Sequence, residues 1–424
     1  MESLEEIRKQ ASSLRQSQKF SEALPLFKKL WEEGKNEKWD GWGYAFCLRK
    51  LGNYEYAIKV SEQIIKENPE FDYIKNIYVW SLYDYLSAKG DLLPLEKFLL
   101  CVEKILNYSS QDDIIYKKAV FKCLNKLKEQ NTYDANYILE LLNKLELNKL
   151  NQTSYTFEKD GKKVELASEY EQYFMHKTKA LYKIKLYEKC IESCNLALKT
   201  INNFHYNNDI WFKWRIALCY KELQKYDSSL NYLQQIVKIK KDWFIQKEIA
   251  EIYFILKNFD KALSFALQSV MNFGDIDKKI HLIILLAEIL EAKQMDYEAK
   301  LHFILANEII NENNWNINLP QKLINKYGNL RSNKLDVLKE LKNLWSDIYF
   351  SNKTQYQGVI SGYLPNNKAG FIKTDKQSYY FKTSEMLGKK AEFNIGSKVT
   401  FYLEDSYDPK KNKPVKNAVR IKIA

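Results

Sequence analysis

Glycine and proline are scarce in this 424-residue chain, at 13 and 7 residues. So few turn formers argue against a mostly β or disordered polypeptide and favour helices joined by short turns. Histidine is scarcer still: His176, His205, His281 and His302 all fall within or beside helical patterns. No H-E-x-x-H, no G-x-S-x-G and no glycine-rich phosphate loop occurs. The adjacent acids Asp112 and Asp113, read as helical, point apart and are solvated charges. Six cysteines, at 47, 101, 123, 190, 194 and 219, also lie in helical patterns. Only Cys190 and Cys194 share a helix face. One pair with no histidine nearby reads as buried thiols, with no metal or other cofactor expected. No apolar run reaches the ~18 residues of a membrane span, and the acidic, polar start MESLEEIRKQ is unlike a signal peptide. Together these absences point to a non-enzymatic, reduced, cytoplasmic protein.

What is present is apolar residue in plenty (46%), with 30 Tyr and 21 Phe. At about 150 residues per domain the length suits two or three domains. Residues 41–69 show a spacing that recurs. Ala45, Leu48, Leu51-Gly52, Tyr54, Ala57, Ile64 and Pro69 describe two helices, a turn at Gly52-Asn53, and a proline that closes the unit. Ala45 and Ala57 are the small residues where two helices cross closely, twelve positions apart. The same step links Ala11 with Ala23, Ala217 with Ser229, Ala250 with Ala262, Ala287 with Ala299 and, less regularly, Thr178 with Cys190. Six copies of one spacing resemble the tetratricopeptide repeat, a helix pair of about 34 residues. The resemblance covers residues 1–70 and 170–310 and implies an α-solenoid over 1–310 whose concave face binds a protein or peptide. Trp42, Trp80, Trp211, Trp214 and Trp243 are candidate anchors there, or simply packing residues.

Residues 71–150 keep helical periodicity without the repeat signature and are expected to form degenerate helix pairs. Within 153–167, Tyr155, Phe157, Val164 and Leu166 alternate about Asp160-Gly161, which predicts a two-residue β-hairpin pairing Phe157 with Val164 and Tyr155 with Leu166. Asn311–Gly328 reads as a loop or short capping turn. Asn333–Phe350 reads as a capping helix with an N-cap at Asn333, and 311–353 as cap and linker.

The last 71 residues differ. From Thr354 to Ala424 there are 13 Lys/Arg and 6 Asp/Glu, a net +7 out of +12 for the chain. Such a local basic excess points to a polyanion partner. Periodicity changes to two, and five strands are expected at Gly358–Tyr363, Gly370–Lys373, Tyr379–Lys382, Lys398–Glu404 and Val415–Lys422. Their order, with Gly358-Val359-Ile360, Lys368-Ala369-Gly370-Phe371-Ile372, Tyr379-Tyr380-Phe381-Lys382 and Gly396-Ser397-Lys398-Val399, resembles the cold-shock family of OB-fold barrels over 354–424. The fold class is thus mainly α, a repeat solenoid followed by a small five-stranded barrel.

The cold-shock resemblance implies binding of single-stranded RNA or DNA, RNA favoured, on exposed rings flanked by cations. The residues carried over are Phe371 and Tyr380, with Tyr363 as a further ring and Lys368, Lys373, Lys382, Lys410, Lys411 and Lys413 as phosphate contacts. Gly362, Ala369 and Thr383 stand where the family has aromatics. Repeats joined to such a barrel resemble accessory proteins of bacterial anti-phage conflict systems of the TOTE type. The expected function is an adaptor that joins nucleic acid to a protein partner, away from membranes. The alternative is a pure protein-interaction scaffold whose barrel has lost nucleic-acid binding.

Overall fold

The computed structural model of the chain describes residues 3–33, 37–128, 133–351, 353–388, 390–408 and 413–424. It forms two compact units, Met1–Asn208 and Asp209–Ala424. The first contains α1 (Leu4–Gln16), α2 (Phe20–Glu33), α3 (Lys38–Lys50), α4 (Tyr54–Glu67), α5 (Asp72–Lys89), α6 (Leu95–Asn107), α7 (Ile114–Lys128) and α8 (Ala135–Asn143). The strands β1 (Tyr155–Lys159) and β2 (Lys162–Leu166) follow, then α9 (Glu169–Lys183) and α10 (Tyr187–Thr200). The second contains α11 (Asn208–Glu222), α12 (Tyr226–Ile239), α13 (Trp243–Ile255), α14 (Phe259–Met271), α15 (Ile280–Ala292), α16 (Asp296–Asn313), α17 (Gln321–Tyr327) and α18 (Lys334–Ser351). Five strands close a barrel after it: β3 (Tyr356–Tyr363), β4 (Ala369–Lys373), β5 (Ser378–Lys382), β6 (Lys398–Asp408) and β7 (Lys413–Ile423). A helical repeat array followed by a five-stranded barrel is the expected architecture.

The twelve-residue step has a physical cause. All twelve residues at its two ends, from Ala11 and Ala23 to Ala287 and Ala299, are fully buried where the helices of a pair cross. A larger side chain there would push the helices apart. The turn between them is the same in every copy. One residue takes a left-handed conformation, at Gln18, Gly52, Lys185, Gln224, Lys257 and Gln294. The next residue's N–H then reaches back to a carbonyl of the preceding helix, as Asn53 does to Leu48 and Asn258 to Tyr253, both at 2.8 Å. This is the Schellman closure, which satisfies carbonyls that the helix end leaves open. Close packing between pairs also uses glycine. A Cβ on Gly43 of α3 would stand 2.3 Å from the Phe27 ring of α2.

The hairpin pairs Phe157 with Val164 and Tyr155 with Leu166, turning at Asp160 and Gly161, both with positive φ. Its β2 end is tied to the loop before α11: the Tyr206 hydroxyl donates to the Glu165 carbonyl at 3.0 Å. His205 Nδ1 bonds the fully buried Glu171 carboxylate at 2.9 Å, and Nε2 lies 3.3 Å from Glu165.

Two expectations need correction. Residues 311–328 are not simply a loop or turn. The α16 helix runs on to Asn313, and Pro320 opens α17, whose Leu323 and Tyr327, one turn apart, are buried. Asp112 and Asp113 are not on a helix. They occupy the turn before α7, where Asp113 accepts from the Ser110 N–H at 2.8 Å and Asp112 pairs with Lys149. The expected cap at Asn333 forms, its side chain accepting from the N–H groups of Leu335 and Asp336. The α18 helix packs on α14 and α16. There the Trp345 indole donates to Nε2 of fully buried His302 at 2.7 Å, while His302 Nδ1 donates to the Glu298 carbonyl. Burial lowers His302 to about 4, so the ring is neutral and can accept the indole N–H.

Candidate nucleic-acid interface

Alternation sorts the barrel residues. Ile360, Ile372, Phe381, Val399, Phe401, Ala418 and Ile421 point inward and, with Phe393, form its core. Their neighbours along β3, β4 and β5 point outward. In the β4–β5 ladder Phe371 stands opposite Tyr380, Lys373 opposite Ser378, and Ala369 opposite Lys382. The Phe371 and Tyr380 rings meet edge to face, centroids 6.0 Å apart at 72°. Phe371 is 40% exposed, a large value for a phenylalanine, and Tyr380 is half-buried. Lys373 and Lys382 are exposed two residues beyond Phe371 and Tyr380 on the same strand faces. On β3, exposed Val359 pairs with Lys373 and Gly362 with Phe371, so the outer face continues across three strands.

The other expected residues lie as follows. Lys368 is exposed in the β3–β4 turn, and Lys413 is exposed at the start of β7. Lys410 and Lys411 lie outside the described residues. Tyr363, expected as a further stacking ring, is turned toward the core. It packs edge-on to Phe381 at 5.8 Å, and its hydroxyl donates to the Phe393 carbonyl at 2.7 Å. Burial raises its phenol pKa. A β-bulge between Ile360 and Gly362 shifts the alternation and turns Tyr363 inward, a change that strict period two does not anticipate. Of the three positions without the family's aromatic, Gly362 opens on empty space, where an added Cβ meets nothing within 4 Å. Ala369 is buried, and the Thr383 N–H is bonded to the Lys368 carbonyl.

Strands β6 and β7 of the barrel are docked by helices of the same unit. Arg420, at positive φ in β7, donates to the Ser346 carbonyl at 2.9 Å, pairs with Asp347 and lies 5.4 Å over the Phe350 ring. Phe350 packs on Tyr402 of β6 at 4.7 Å. Lys241, between α12 and α13, donates to the Asp405 carbonyl at 2.5 Å. These docking residues escaped sequence reasoning, because no local pattern links residues 164 positions apart. The outward position of Val359 could have been found from alternation alone.

The five tryptophans singled out are all half-buried. Trp211, Trp214 and Trp243 cluster about Phe244, at 5.5–5.9 Å. Cys190 is buried, its thiol donating to the Thr178 carbonyl at 3.2 Å. Among the described residues no group of three or more His, Cys, Asp or Glu is placed to hold a metal ion, and no helix is long and apolar enough to cross a membrane.

The tetratricopeptide repeat model matches residues 42–70 and 213–239, within the expected repeats. No curated protein matches the chain. Among solved structures, the chain is similar to a human IFIT1 dimer with PPP-AAAA, at 16% identity and TM-score 0.35, covering 79% of this chain and 71% of that one. It is also similar to MamA of AMB-1, at 14% identity and TM-score 0.34, covering 47% and 99%. For Pseudomonas aeruginosa PilF the values are 13% and 0.35, covering 63% and 97%. The chain thus carries tetratricopeptide repeats at residues 42–70 and 213–239, within a helical array that is followed by a five-stranded barrel.

Proposed function

We propose that the protein is a non-enzymatic cytoplasmic adaptor whose barrel binds single-stranded nucleic acid, RNA in preference, while its helical array docks a protein partner. The observation that carries this reading is the Phe371–Tyr380 pair, outward on a barrel face flanked by Lys373 and Lys382. Two rings on adjacent strands offer stacking surfaces to successive bases, and stacking is tolerant of sequence because every base has a π-face. Lys368, Lys373, Lys382 and Lys413, with Lys410 and Lys411, serve as phosphate contacts. Phe371, Lys373 and Lys382 are exposed on this face, which also favours the assignment. Tyr363 shapes the barrel in this reading and does not stack.

The pairing of repeats with a cold-shock-like barrel also underlies a role in bacterial anti-phage defence. A nuclease or helicase gene beside this one would support that role, and a neighbourhood of housekeeping genes would count against it. The alternative, a pure protein scaffold, is favoured by one observation: no ring stands at Gly362, Ala369 or Thr383.

The test is fluorescence anisotropy of labelled single-stranded RNA and DNA with the full chain across a salt series. With these six phosphate contacts on a single strand, log K should fall with log salt at a slope of about −4. Absence of binding at low salt would leave the scaffold reading.

A further inference from the structure

Aromatic rings of α3 and α5 and cations of α1, α3 and α7 share a face of the first compact unit, in which α1, α3, α5 and α7 each pack on the next. The Arg15 guanidinium of α1 lies 4.6 Å from the Trp42 ring centre and 5.5 Å from that of Phe46, both on α3. Arg49 of α3 lies 5.3 Å over Trp80 of α5. Lys118 of α7 lies 5.5 Å over Trp80, and Lys122 lies 5.2 Å over Tyr83. Each contact crosses from one helix to its neighbour, so cations and rings alternate along the face. Helical spacing brings this about: Trp42, Phe46 and Arg49 share one face of α3, Trp80 and Tyr83 one face of α5, and Lys118 and Lys122 one face of α7.

The charges on this face are not balanced. Asp84 pairs with Arg49 at 2.7 Å. Among the described residues Lys118 and Lys122 have no ion pair, and Arg15 Nε is buried without an acceptor. Burial pushes the half-buried Lys122 ammonium below its ordinary value, only partly opposed by Asp91. Holding a cation away from water without a counter-ion is unfavourable, and an arriving anion would relieve the cost.

The geometry also distinguishes between anions. On the barrel, among the described residues, no cation lies over the Phe371 or Tyr380 ring. On this helical face, Trp42, Phe46, Trp80 and Tyr83 all do, so stacking a base would require displacing the cation. Side-chain carboxylates can instead meet the cations from solvent, with apolar side chains lying against the ring edges. We propose that the face made by α1, α3, α5 and α7 docks an acidic segment of a protein partner, whose side-chain carboxylates pair with Arg15, Lys118 and Lys122. The proposal rests on the reading of the helical array as a protein-docking element and specifies the chemistry of the partner.

The experiment uses the full chain and a fluorescein-labelled peptide of alternating glutamate and leucine. Matched peptides carry glutamine or lysine in place of glutamate. The acidic peptide should bind, the glutamine peptide at least about tenfold more weakly and the lysine peptide not at all. Lys118→Glu with Lys122→Glu should weaken the acidic peptide about tenfold or more and leave RNA binding at the barrel unchanged. Lys118→Glu alone, at an exposed position, should show a smaller loss and guards against misfolding from the half-buried Lys122. Equal binding of the acidic and glutamine peptides, or unaltered binding by the double variant, would overturn the proposal while the protein-docking reading stood. Failure of all three peptides to bind would remove both. Loss of RNA binding in the double variant would reassign the face to nucleic acid and likewise overturn it.

Discussion

The Ser229 hydroxyl of α12 donates to the main-chain carbonyl of Ala217 in α11, twelve residues earlier, at 2.7 Å. Cys190 does the same to Thr178 at 3.2 Å, one repeat before. Where the second small residue is polar, its side chain thus turns onto the partner helix. Since Ser229 is fully buried, its size matters more than its hydrogen bond. Ser229→Ala should cost about 1 kcal/mol or less in urea unfolding, because the Ala217 carbonyl lies inside a helix. Ser229→Leu should cost about 1–3 kcal/mol by forcing α11 and α12 apart. Equal effects of the two would mean that the contact is not close.

The turns of the helix pairs make a second prediction. Five of the six left-handed turn residues are Gln or Lys, a conformation that costs an L-residue about 1–2 kcal/mol and glycine almost nothing. After the extra backbone entropy glycine loses on folding, Lys257→Gly should stabilise the protein by about 0.5–1 kcal/mol. Thermal unfolding measures it, and a lower melting temperature would argue against strain at the turn.

His205 makes stability depend on pH. Its hydrogen bond to Glu171 first, and that to Glu165 next, raise its pKa above the ordinary 6.5. A histidine so raised contributes stability that is fully present below 6.5 and is lost as pH rises through the folded value. Urea unfolding should therefore show a loss of stability from about pH 6.5 upward, and His205→Gln should flatten that part of the profile. His302 acts with the opposite sign. Held near 4, it disfavours the folded state as pH falls below 6.5, and that acid limb should persist in His205→Gln.

Gly362 offers a gain-of-binding test. It stands opposite Phe371, beside open space. Gly362→Trp should leave the fold intact and add a stacking platform, tightening single-stranded RNA binding by about 1–3 kcal/mol. A folded variant with unchanged affinity would mean that the nucleic acid does not pass over this strand.

Much of this architecture was legible in the sequence, for reasons that differ between its parts. Period two and the local turn formers locate the barrel strands closely, and Asp160-Gly161 sets the register of the hairpin. The β6 and β7 strands run further than expected, to Asp408 and from Lys413, because they pair with each other beyond the barrel wall. The small residues of the repeats were legible because helix crossings admit little else. Their turns were not, apart from Gly52, because Gln18, Lys185 and the others have no preference for the conformation that the crossing imposes. At the candidate interface, alternation places Tyr380 and Lys382 on one face, but the Phe371–Tyr380 contact depends on register across strands. The inward turn of Tyr363 follows from a bulge, and the grip of Arg420 on α18 from tertiary docking.

The most direct test compares the full chain with its Phe371→Ala, Tyr380→Ala double variant in single-stranded RNA binding at fixed low salt, with circular dichroism confirming the fold. Loss of one stacked base per ring should weaken binding by about 1–3 kcal/mol each, at least tenfold in total. A folded double variant that binds RNA as tightly as the parent would contradict the assignment of this barrel face.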